Sequence, residues 1–241
     1  MGAFELIEKQ QFRDFCNLYE TCAHLRSDKA EYQDLIPGNY ILALLGARNY
    51  GRLVEFCLQE IDKEVNSKSK IDRRSSYLYI ACSIGYFERQ EYEKALEMIT
   101  EACSVPYQDI SRTQAPCVMY YEAVMLNDKK AKQLSIKLLN ARVRKAQTIP
   151  RELAIASFLV DKCSREEMLA QIDDFPPILR ERHLVRALFY IAVKELERGN
   201  TEQSRRYFRE ACSLYDECHS VTMSYEYYLA EACLSKIDLM P

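Results

Sequence analysis

Two acidic pairs, Glu166-Glu167 and Asp173-Asp174, three histidines at 24, 183 and 219, and ten cysteines are the residues whose types suit acid–base, metal or thiol chemistry. Acid and base work needs carboxylates held together in a pocket. Each acidic pair here stands at a helix end, where capping and the helix dipole account for it. Zinc needs four ligands at short spacing, whereas the histidines are scattered and no Cys-x-x-Cys occurs. The cysteines at 16, 22, 57, 82, 103, 117, 163, 212, 218 and 233 mostly take apolar helical positions, where a thiol behaves as a small hydrophobe. Reduced, buried thiols imply a cytoplasmic setting. Bridges from Cys16 to Cys22 or from Cys212 to Cys218 stay open as alternatives, although such a gap on one helix does not bring two sulfurs together. There is no Gly-rich phosphate loop, no Gly-x-Ser-x-Gly elbow and no His-Glu-x-x-His. The census points away from an enzyme and implies no catalytic residue, cofactor or metal.

The elements that must position any functional side chain are helices. Hydrophobic residues make up 48% and charged residues 29%, enough for a packed core. Only six glycines and seven prolines punctuate the chain, which favours long regular segments over many short strands. One helix pair is written twice. Tyr79, Cys82, Ser83 and Tyr86 followed by Tyr92, Ala95, Ile99 and Ala102 share their offsets with Leu188, Ile191 and Ala192 followed by Gly199, Ser204, Phe208 and Ala211. A pair that cannot bury its own apolar face must stack on neighbours.

The spacing predicts helix over Phe4 to Leu25, with Ser27 and Asp28 capping a following segment that Pro37-Gly38 interrupts. A loose pair follows at Asn39 to Ala47 and Gly51 to Val65, then a loop from Asn66 to Ser69 and a strong pair at Arg73 to Cys103. Gln114 to Leu126 and Lys129 to Gln147 form the next pair. Pro150 starts an unusually short one, Arg151 to Asp161 and Arg165 to Asp173, with Ser164 and Glu167 as a capping box. Phe175-Pro176-Pro177 breaks the chain before Leu179 to Tyr215, and Thr222 to Lys236 closes it as an end cap. The chain, 1–241, thus reads as one domain: degenerate pairs at 1–70, a strong repeat at 71–110, irregular pairs at 111–177, a strong repeat at 178–216 and a capping helix in 217–241.

A net charge of −3 argues against nucleic acid as a partner, since phosphate binding needs a concentrated positive footprint. From Lys129 to Lys145, however, Lys129, Lys130, Lys132, Lys137, Arg142, Arg144 and Lys145 occur with no acid among them. Such a run is commonly the solvated face of a long helix. The sharper reading makes Lys130, Lys137, Arg142, Arg144 and Lys145 a dock for an acidic partner segment. The first residues lack a basic start followed by an apolar run, so no export signal is expected. No stretch approaches 18 consecutive apolar residues, so no membrane insertion is expected either.

The doubled pair resembles tetratricopeptide repeats. From about Tyr120 to Leu234 the chain also resembles the bacterial NlpI-type lipoprotein family. That likeness rests on the short pair Ala154 to Ile172 with Ser164-Arg-Glu-Glu-Met-Leu, on Ala187-Leu-Phe-Tyr-Ile-Ala with Gly199-Asn200, and on Glu226-Tyr-Tyr-Leu-Ala. These resemblances imply an all-α, right-handed solenoid of antiparallel helix pairs with a C-terminal capping helix, and an adaptor's role. The lipid-bearing cysteine of those lipoproteins has no counterpart here, so their location does not carry over.

In this repeat class, first-helix residues line a concave surface. The resemblance therefore implies a partner-binding groove of Tyr77, Ile80, Ile84 and Phe87, then Tyr120, Tyr121 and Val124, then Arg186, Phe189, Tyr190 and Val193. Ile80 and Ile84 stand at two offsets where carboxylate-clamp receptors of the class carry Lys or Asn, so no such clamp is implied. An apolar, tyrosine-rich groove suits a partner helix or peptide. The helix Thr222 to Lys236 filling that groove from within, and self-association into a homo-oligomer, are the competing outcomes. The expected function is a non-catalytic adaptor or scaffold for a protein segment; a peptide-sensing regulatory module and a subunit of a larger assembly are the alternatives.

Overall fold

In this computed structural model the described residues are 3–22, 36–66, 74–106, 112–145, 151–218, 222 and 224–237. They form thirteen α-helices and no β-strand. In pairs these are α1 (Ala3–Glu8) with α2 (Phe12–Cys22), α3 (Pro37–Gly46) with α4 (Tyr50–Val65), and α5 (Ser76–Glu88) with α6 (Tyr92–Ala102). Then come α7 (Gln114–Met125) with α8 (Lys129–Lys145), α9 (Ala154–Leu159) with α10 (Arg165–Asp173), α11 (Pro177–Glu197) with α12 (Thr201–Glu217), and last α13 (Tyr225–Ile237). The caps expected at Ser27 and Asp28, the helix start at Pro150 and most of the loop before residue 70 lie outside the described residues.

The same hydrogen-bonded corner joins all six pairs. Each first helix ends near a residue of positive φ: Gln10, Arg48, Gln90, Asn127, Asp161 and Gly199 in turn. That residue's N–H reaches back three positions, as from Gln90 to Phe87 O at 3.0 Å, and the next N–H reaches back five, as from Glu91 to Tyr86 O at 2.9 Å. The two bonds satisfy carbonyls that a helix end leaves open. Glycine suits such a corner, yet only Gly199 supplies one, and at Gln10 and Gln90 turn composition does not announce it. Hence Phe4 to Leu25, expected as one helix, is two. Gln11 N–H bonds Leu6 O at 2.7 Å and the chain turns at Gln10.

Burial separates the pairs into inner and outer members. Eleven of the thirteen residues of α5 are buried, whereas α6 buries Ala95, Ile99 and Ala102 alone among its eleven. The other odd-numbered helices from α3 to α9 follow α5, and α4 and α10 follow α6. A helix apolar on all sides is an interior helix; one with a single apolar stripe is a covering helix. Small residues set the closest approaches. A Cβ on Gly85 would lie 2.7 Å from Val54 Cγ2, and one on Gly46 would lie 2.5 Å from the Phe12 ring.

The short pair holds the expected capping box. Ser164 Oγ accepts from Glu167 N at 3.1 Å and Glu167 Oε2 accepts from Ser164 N at 2.7 Å. After it, Pro176 caps α11 and Pro177 takes its first turn, where a missing N–H costs nothing. The last helix does more than cap. Nine of the thirteen residues of α13 are buried, and it packs on α3 and α11 as well as on α12.

Candidate functional site

The inner positions come together, and α13 covers them. Tyr225 of α13 stacks on Tyr77, with centroids 5.3 Å apart and planes 29° from parallel, and donates to Tyr77 O at 3.3 Å. Further along, Cys233 Sγ lies 3.6 Å from Tyr121 Oη. Lys236 Nζ donates to Glu88 Oε1 at 2.8 Å. The first pair also meets this helix: Gln10 Nε2 donates to Tyr227 Oη at 2.8 Å, and the Phe12 ring is edge-on to Tyr228 at 5.7 Å.

An aromatic row underlies these contacts, running from Phe87 to Tyr121 to Phe189 with centroids 5.4 and 5.2 Å apart. Ile80, Ile84, Phe87, Tyr120, Tyr121, Phe189, Tyr190 and Val193 are all buried, and Tyr77, Val124 and Arg186 are half-buried. The expected groove is therefore core of the same chain, filled by α13. Tyr121→Ala and Phe189→Glu would therefore strike that core. Val124 borders an open cleft of about 350 Å³. That cleft is lined also by Ala123, Lys129, Lys132, Leu196 and Glu197.

Three ionisable side chains inside the fold, Glu226, Lys194 and Glu122, bond residues distant in the chain. Glu226 is fully buried and accepts from Arg186 Nε at 3.2 Å, from Ser224 Oγ at 2.6 Å and from Tyr190 Oη at 3.4 Å. Lys194 of α11 is buried; its ammonium bonds Phe158 O at 2.8 Å and Asp161 Oδ1 at 2.5 Å, and lies 4.8 Å over the Phe158 ring. A cation belongs at the carbonyl end of a helix, so Lys194 ties the short α9 to α11. Glu122 is fully buried, and burial pushes its carboxyl up to about 8. Residue type alone does not mark these three side chains as buried, because Ser83, Asp161 and Arg186, which bond them, are 33 to 40 positions away.

Among the described residues, those suited to chemistry do not converge. Glu166 and Glu167 are exposed on the first turn of α10, where Glu166 pairs with Arg165 and Glu167 closes the capping box. Asp173 pairs with Arg180 at 2.9 Å. His183 stacks on Phe175 at 3.9 Å, and His24 and His219 lie outside the described residues. None of the ten cysteines is in a disulfide, and burial raises the thiols of Cys16, Cys82, Cys103 and Cys233 to about 12. Protonated thiols are poor nucleophiles and poor metal ligands.

The basic run forms α8. Lys130, Lys137 and Arg144 are exposed at seven-residue spacing, Arg142 is half-buried near Cys103, and Lys132 pairs with Glu197 at 2.7 Å. The Lys145 side chain lies outside the described residues. No helix among the described residues is long and apolar enough to cross a membrane. No protein-family model matches this chain, and no curated protein sequence matches it.

Proposed function

We propose that this protein is a non-catalytic, cytoplasmic protein-interaction scaffold of the tetratricopeptide type. In this reading the pairs wind as a right-handed α-solenoid around α13, and partners are met on the outer helices. The observation that carries the proposal is the seat of α13. A scaffold whose groove is held by its own last helix, through Tyr225 on Tyr77 and Glu226 on Arg186, has its outer surface left for partners. The NlpI-type likeness of the C-terminal half supports an adaptor's role. A peptide sensor would instead need the inner surface open, and an obligate subunit of a larger assembly would not stay monodisperse when purified alone.

Cross-linking of the tagged protein in native lysate, followed by mapping of the linked residues, tests this reading. Partner cross-links are expected on α4, α6, α8 and α12, with amide exchange in Tyr225–Ile237 as slow in the bound protein as in the free one. Cross-links on Tyr77, Tyr121 or Arg186, together with faster exchange in α13, would show a partner displacing that helix and overturn it.

A further inference from the structure

The helix α8 carries seven basic residues and no acid in a chain of net charge −3, so the other residues together carry −10. At its start this charge opposes the helix dipole, and at its end, where Arg142, Arg144 and Lys145 stand, it agrees with it. Lys129, Lys130 and Lys132 occupy the first turn, where the helix dipole repels cations, and Asp128 partly offsets this by accepting from Lys130 N and Ala131 N at 2.9 and 3.0 Å. Among the described residues no carboxylate pairs with Lys130, Lys137 or Arg144. These three share one exposed stripe, about 10 Å from one to the next along the axis, with Leu134 (38% exposed) and Ala141 between them. Three exposed cations in register, without a carboxylate partner among the described residues, fit a surface that an acidic partner completes.

The surroundings restrict the width of that partner. The outer helices that share inner neighbours with α8 are acidic: α6 exposes Glu93, Glu97 and Glu101, and α10 exposes Glu166, Glu167 and Asp173. A polyanion broad enough to reach past α8 onto those helices, such as a nucleic-acid duplex or a membrane surface, would meet their carboxylates and be repelled. An acidic helix laid along α8 would not. Carboxylates two turns apart on such a helix match the spacing of Lys130, Lys137 and Arg144, and apolar residues between them meet Leu134 and Ala141.

We infer that the exposed stripe Lys130–Leu134–Lys137–Ala141–Arg144 of α8 is a docking site for an acidic amphipathic helix of a partner protein. This rests on the scaffold reading above and names the chemistry of one of its surfaces. The test uses the full chain and a labelled helical peptide with glutamate at every seventh position and leucine between, read by fluorescence anisotropy. The same peptide with glutamine for glutamate, an oligothymidylate and phosphatidylserine vesicles serve as comparison probes. The acidic peptide is expected to bind, to weaken several-fold between low and physiological salt, and to weaken about tenfold or more on K137E/R144E with the circular dichroism unchanged. Equal binding of the glutamine peptide, preference for the oligothymidylate or the vesicles, or an unaffected K137E/R144E variant would overturn the inference. So would self-association of the purified chain that K137E/R144E abolishes. If the peptide fails while native cross-links still map to α4, α6 or α12, the site on α8 is lost and the scaffold reading stands.

Discussion

Ser83 Oγ lies 2.6 Å from Glu122 Oε1 and 2.8 Å from the carbonyl oxygen of Ala95, all inside the core. A serine has one proton to give, so it cannot donate to both. The arrangement closes if Glu122 is protonated: its O–H donates to Ser83, and Ser83 donates to Ala95. Burial, which pushes the Glu122 carboxyl up to about 8, and the nearby Glu88 carboxylate favour the same state. One neutral carboxylic acid thus links α5, α6 and α7.

Stability should fall with rising pH because of this group. The fold keeps the proton of Glu122 up to about 8, whereas the unfolded chain loses it near 4.5. The contribution is complete below the lower value and is lost by the upper one, on the order of a few kcal/mol in all. Urea unfolding at pH 5, 7 and 9 of wild type and Glu122→Gln measures it. The variant, neutral at every pH, should show a flatter profile, and parallel profiles would refute the assignment.

Tyr121→Ala should destabilise the chain by about 3–5 kcal/mol, because it empties a site between Phe87, Phe189 and Cys233. Equilibrium denaturation gives the value. A drop below about 1 kcal/mol would mean that α13 leaves this site open.

Arg186→Met leaves the buried Glu226 carboxylate without its cation and should lower stability by on the order of 3 kcal/mol. Adding Glu226→Gln should restore most of that, since both charges are then gone. A double-mutant cycle reads the coupling, and additive losses would show that the pair contributes nothing.

The corners should respond in opposite directions. Gly199, at φ 80°, should lose about 1 kcal/mol on substitution by alanine, while Gln90→Gly, at φ 64°, should gain up to about 1 kcal/mol. Thermal melts separate the two, and a loss at Gln90→Gly would show that its side chain contributes more than the strain costs.

Helical spacing was legible because it repeats within a few residues. Gln114 to Leu126 is found as Gln114–Met125 and Lys129 to Gln147 as Lys129–Lys145, and Ser164 with Glu167 forms its capping box. The break inside Phe4 to Leu25 was not legible, because Gln10 takes a glycine's backbone conformation without being one. The role of Gly85 is not legible for a different reason: it permits the approach of Val54, 31 positions earlier in the chain.

By itself, then, the sequence determined an all-helical chain, the position of most of its helices and a cluster of positive charge on one of them, since periodicity, capping and charge are local. Only the tertiary structure decided what lies on the inner surface. Whether Tyr77, Tyr121 and Phe189 face a partner or their own chain depends on where α13 comes to rest, and that is a sum over contacts with α3, α5, α7, α11 and α12. The same holds for Glu122, Lys194 and Glu226, whose burial follows from stacking of the pairs. No spacing along the chain encodes that sum, because each contact joins residues brought together only when the pairs have stacked.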